Sequence, residues 1–161
     1  MYAALHQAGI WLASSSVNAW ARSMANTHVW LIPVLQGVHI LAACVIVGSA
    51  GVLGLRLARG AESREAMQRA GSTLLPWMWG ALAIQIATGA FMVAHRPTRA
   101  FDSLMFPYKM AMLIAAVVLA TIILRRLRHG EGGLRILGWA SLLLWVGVVL
   151  AGRLISYIRA V

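Results

Sequence analysis

The sequence predicts an all-α membrane protein: an antiparallel four-transmembrane-helix bundle with an N-terminal interfacial helix. Three observations lead there. Hydrophobic residues make up 61% of the 161 residues and charged residues 11%, against roughly 45–50% and about 25% in soluble domains. Four apolar runs are each long enough for a ~30 Å hydrocarbon core, which takes about 20 helical residues. The links between the runs are short, and short links join antiparallel neighbours. With a mean hydropathy of +0.79, the composition excludes a soluble enzyme and a disordered chain.

The elements follow in chain order. Residues 1–28 read as an interfacial segment ahead of a membrane domain over 29–161. Trp11, Leu12, Val17 and Trp20 suit a helix lying in the headgroup region. Ser14, Ser15 and Ser16 break the apolar run and no basic residues open it, so it does not read as a signal peptide. The spans are placed at 29–57, 74–94, 108–124 and 136–158. None alternates with period two, so helices are the spanning form. The link 58–73 is charged, 95–107 carries Pro97 and Pro107, and 125–135 turns through Gly130, Gly132 and Gly133.

Charge sets the orientation. The net charge of +10 comes from 14 Lys and Arg against 4 Asp and Glu. In a soluble chain that would point to nucleic acid, but here membrane topology accounts for it. Arg56, Arg59, Arg64, Arg69, Arg125, Arg126, Arg128 and Arg135 cluster at one side. Arg22, Arg96, Arg99, Lys109, Arg153 and Arg159 lie at the other. The denser set is expected to be cytoplasmic. Both termini and the 95–107 loop would then face the outside. The single Cys44 excludes an internal disulfide.

Function must come from polar residues inside the spans, which are expensive there and usually functional. His39 lies in the first span, about 15 Å from its outer end by helical rise. No Asp or Glu lies in any predicted span, so a carboxylate proton relay is absent. Two readings of His39 stand: ligation of haem or a metal, and hydrogen bonding to a neighbouring helix. His28 precedes it by close to three turns on the same face, about 16 Å away along the axis. It is either a further cofactor residue or an interfacial side chain.

The second span brings Thr88 and Gly89 to the depth of His39 and ends at His95. A tilted haem would take His39 on one side and His95 on the other. Otherwise His95 is an interfacial polar residue. Arg96, Arg99 and Lys109 are suited to pair with propionate carboxylates. Lys109 equally suits an interfacial anchor. Arg153, near the outer end of the fourth span, needs an anion, such as Asp102 or a propionate, or a snorkelling route to water.

Several short runs carry a family resemblance. They are Trp30-Leu-Ile-Pro33, Gly37-Val-His39, Val47-Gly48, Leu55-Arg-Leu57, Leu75-Pro76, Thr88-Gly89, Phe106-x-x-Lys109 and Gly152-Arg153-x-Ile155-x-Tyr157. Together they span almost the whole chain. They resemble a family of bacterial four-helix membrane proteins, itself similar to the membrane domain of copper-resistance protein D and to HemJ-type protoporphyrinogen oxidases. The resemblance to the HemJ-type enzymes implies haem b, with His39 and Lys109 at the positions that matter. The resemblance to the copper-resistance group implies metal handling. The chain departs from the pattern at Gly54, where an acidic residue is expected before Leu55-Arg-Leu57.

The expected function is therefore a b-type haem-binding membrane protein that transfers electrons, with haem in the outer half of the bundle. Its partners would be the lipid bilayer and a membrane redox protein or quinone, and it could assemble as a homo-oligomer or in a larger complex. A porphyrin-oxidase activity is a narrower form of the same reading. Two alternatives differ in class. One is a copper-handling or small-solute protein using His39 with Cys44 and Met92, soft ligands for Cu(I). The other is a cofactor-free structural subunit. No phosphate-binding loop, nucleophile elbow or carboxylate pair is present, so other enzyme classes lack a chemical basis.

Overall fold

The structure, a computed structural model, describes residues 2–59, 64–129 and 134–155. All regular structure among them is helical: α1 (Tyr2–Ala13), α2 (Ser16–Thr27), α3 (Leu31–Arg59), α4 (Arg64–His95), α5 (Pro97–Phe101), α6 (Met105–His129) and α7 (Leu134–Leu154). The helices α3, α4, α6 and α7 are each long and apolar enough to cross a membrane. Only 22–28% of the most apolar stretch of each is buried. Large side chains such as Leu41, Ile86, Ile114 and Leu143 point outward. Water does not tolerate so much exposed hydrocarbon, whereas a bilayer solvates it.

The helix boundaries differ from the sequence expectation at three of the spans. The second apolar run is part of a helix that begins at Arg64 rather than Leu74. Its first turns are amphipathic: Met67 is buried beside Leu53 and Leu57, while Glu65 and Arg69 stay exposed and pair at 3.9 Å. Charge on one face of these turns made them read as a loop. At 1.5 Å per residue, α4 exceeds the hydrocarbon thickness and projects beyond it at the arginine-rich end. The third run extends at both ends into α6, and α7 runs from Leu134 to Leu154. Residues 156–158 of the predicted fourth span lie outside the described residues.

The N-terminal segment forms two helices rather than one. Ser14 and Ser15 make the corner. The Ser14 hydroxyl donates to Trp11 O at 2.8 Å and the Ser15 hydroxyl to Leu12 O at 2.6 Å. Ser15 Oγ also accepts from Asn18 N at 3.3 Å, capping α2. One residue thus closes α1 and opens α2, satisfying groups that helix ends leave free.

α3 packs along both α4 and α7, α6 packs along α7, and α4 meets α6 more sparsely. The buried stripe of α3 is Ala42, Ile46, Ala50, Leu53 and Leu57. Ala42, Ala50, Ala81, Ala116 and Ala120 line the core around Trp145. Small residues let membrane helices approach closely, and dispersion contacts then replace the missing hydrophobic drive. The tightest approach is Gly54 against Gly138. A Cβ on Gly138 would lie 2.6 Å from Gly54 O, and one on Gly54 would lie 3.1 Å from Gly138 O. An acidic side chain at position 54 has no room here.

The N-terminal helices cover one end of this assembly. Asn18, 4% exposed, donates its amide to Ala94 O at 2.7 Å and to His95 O at 3.3 Å, the last carbonyls of α4. Trp20 meets Phe91 edge-on at 5.7 Å. Gly9 lets α1 close on Phe101, and His6 Nδ1 reaches Asp102 Oδ1 at 2.8 Å. Asn18→Ala leaves those α4 carbonyls without a donor. Its expected cost is about 1–3 kcal/mol, seen as a lower melting temperature and faster tryptic cleavage at Arg22. Wild-type melting and proteolysis would show that α2 is not held by this amide.

Candidate cofactor site

His39 lies on the inward side of α3, where α4 presents Gln85, Thr88 and Gly89. These three share one face because they are spaced i, i+3, i+4. The His39 ring is held at both nitrogens. Nδ1 is 2.8 Å from Thr88 Oγ1 and Nε2 is 2.8 Å from Gln85 Nε2. The proton positions follow from the neighbours. Thr88 donates its hydroxyl to Ile84 O at 2.7 Å, so its oxygen accepts from His39 Nδ1–H. With the Gln85 amino group toward the ring, His39 Nε2 is the acceptor; with the amide turned over, its Oε1 would accept from Nε2–H in the other tautomer. A metal-ligating histidine uses a hydrogen-bonded Nδ1–H and an open Nε2 lone pair; here Thr88 meets Nδ1, and Gln85 occupies the Nε2 side.

Two glycines make room for this group. A Cβ on Gly89 would lie 3.3 Å from His39 Cε1, so the ring rests against the α4 backbone. Lys109, half-buried near the start of α6, lies along Gly152 of α7: a Cβ there would be 3.4 Å from its Nζ. The Lys109 ammonium is within Coulomb range of His39. The fold therefore gathers His39, Gly89 and Lys109 from three helices. It adds Gln85, which a search for ionisable residues passes over. Its sequence signal is a polar amide one turn before Thr88 inside an apolar span. Gln85 Oε1 is buried with no hydrogen-bond partner, an arrangement that leaves a desolvated acceptor unpaid.

His95 sits elsewhere. It lies two turns beyond Thr88 on α4, about 10 Å further along the axis. Its surroundings are Asn18, Arg22, Asn26, Arg96 and Arg99, in a cleft of about 360 Å³. His95 Nδ1 is buried without a partner. His28 is exposed at the C-terminal cap of α2. Arg153 is exposed in the last turn of α7. Asp102, one candidate partner for Arg153, is instead bonded to His6, because α1 folds across α5.

Metal ligation by several side chains has little to draw on. Among the described residues no three His, Cys, Asp or Glu side chains come together. Cys44 is exposed, on a different side of α3 from the half-buried His39. The chemistry of the site is that of one oriented imidazole, a buried amide and a nearby cation. No family model, curated protein or solved structure matches the chain.

Proposed function

We propose that this chain is a b-type haem-binding electron-transfer protein of a bacterial inner membrane. In this reading its four long helices cross the bilayer as an antiparallel bundle, with α1 and α2 at the periplasmic interface and both termini on that side. The observation that carries the proposal is the placement of His39: a half-buried imidazole inside a long apolar helix, with Nδ1 2.8 Å from Thr88 Oγ1, the kind of supporting contact that orients a ligating histidine.

The residues fit such a group. His39 would ligate it through Nε2 once Gln85 swings aside, a movement favoured by the unpaired Gln85 Oε1. Lys109 would pair with one of its carboxylates, whereas Arg96 lines the separate cleft around His95. Bound haem b supplies one-electron chemistry, at a potential set by ligation, hydrogen bonding and burial. The chain contributes the fixed imidazole orientation, a low-dielectric surround and a positive charge beside it. The electron partner would be a membrane redox protein or a quinone.

The test is a reduced-minus-oxidised visible spectrum of protein purified in detergent from haem-replete cells. A sharp b-type α-band is expected. A flat spectrum would overturn the proposal. It would favour a second reading that also has an observation behind it: both ring nitrogens of His39 already bond to α4, as in a cofactor-free membrane subunit whose histidine joins two helices.

A further inference from the structure

The cleft around His95 lies apart from His39 and has an unbalanced charge. Arg22 comes from α2, Arg96 from the link after α4, and Arg99 from α5. Among the described residues none of these three guanidinium groups has a carboxylate partner. Among the described residues the acidic side chain near this cleft is Asp102, and His6 holds it at 2.8 Å. Asn18 pins α2 to the end of α4, so the cations are held close despite their repulsion. Asn26 adds a neutral donor at the cleft wall. Three arginines lining one cleft without a carboxylate partner among the described residues describe an anion site, and Arg matches phosphate in particular through its forked donors.

The depth of the cleft limits the source of that phosphate. The cleft lies where α4 ends, and on another face of α2 from its lining residues Asn18, Arg22 and Asn26 the apolar Val17, Trp20 and Met24 are exposed. In a membrane this apolar edge would rest in the headgroup region, where aromatic belts lie. We propose that the cleft between α2 and the α4–α5 corner binds a phosphate group at the membrane surface, held by Arg22, Arg96 and Arg99 with Asn26. The group is that of an anionic phospholipid or a small phosphate from the aqueous side. The assignment rests on the membrane placement proposed above and is independent of haem.

The experiment uses the full chain, reconstituted with phosphatidylglycerol or with phosphatidylcholine, and native mass spectrometry of the retained lipid. A parallel arm adds inorganic phosphate to delipidated protein at constant ionic strength and follows thermal unfolding, with chloride as the reference. Retention of phosphatidylglycerol over phosphatidylcholine, reduced about tenfold or more in Arg22→Gln/Arg96→Gln, supports a lipid phosphate. Stabilisation by inorganic phosphate, lost in the same variant, supports a small phosphate. Arg125→Gln, at the opposite end, should behave as wild type in both arms. Arg99→Gln alone provides a milder change should the double variant fold poorly. Equal retention of the two lipids together with no phosphate-specific stabilisation overturns the site. Failure to insert into vesicles at all would instead overturn the membrane placement.

Discussion

His39→Ala is expected to abolish the visible haem spectrum while leaving the helical bundle intact. The magnitudes separate these two consequences. Interhelical hydrogen bonds within membranes are worth about 0.6 kcal/mol on average and rarely more than about 1.7. Losing the bonds to Thr88 and Gln85 therefore leaves most of the α3–α4 packing in place. If His39 holds haem, losing its imidazole would remove the ligation itself. Gln85→Leu is the informative companion. It takes the competing donor off Nε2 and removes the unpaired Oε1, so the band should persist or gain intensity per protein. Thr88→Ala removes the acceptor that fixes the tautomer, and haem affinity should fall about 10–100-fold. Absorption spectra and circular dichroism of the three variants check the set. A band of wild-type intensity in His39→Ala would exclude His39 as the ligand. Loss of the band in Gln85→Leu would mean that the amide supports the cofactor instead of competing with it.

The same residues show what a sequence reveals and what it withholds. The four long helices were legible because hydropathy over a helix-length window is a local property. The inward position of His39 was legible too, since it continues the stripe through Ile46 and Ala50 that the structure buries. Thr88 and Gly89 were placed at the depth of His39 by counting helical rise, and the structure brings all three into contact. Gln85 is less legible because it carries no charge, although an unpaired amide is also costly to bury. Asn18 escaped for a different reason. Its role depends on α2 reaching the end of α4, a contact between segments far apart in the chain. The first turns of α4 were read as a loop because their exposed charges masked the buried face formed by Met67.

Gly138→Ala is expected to be among the most damaging single-methyl changes in the protein. The added Cβ would meet Gly54 O at 2.6 Å, Leu57 Cβ at 2.9 Å and Ala58 N at 3.0 Å. Two of these three atoms belong to the α3 backbone and cannot rotate away. The helices must part, and parting weakens contacts along the whole α3–α7 seam. Overpacking of this kind costs about 1–3 kcal/mol, and in a bilayer close packing is the main force that resists it. Gly48→Ala and Gly80→Ala serve as controls, because a Cβ at either position meets nothing within 4 Å. They should be neutral or stabilising by up to about 1 kcal/mol through helix propensity. Thermal or detergent unfolding of the purified variants measures all three. Gly54→Ala should be damaging as well, with Leu142 Cγ at 3.0 Å and Gly138 O at 3.1 Å from the new atom. Its effect should not add to that of Gly138→Ala, because residues in contact couple: once one methyl has forced the helices apart, the second enters space already opened. Additive losses in the double variant would mean that the two glycines act separately and that the α3–α7 approach is not centred on them.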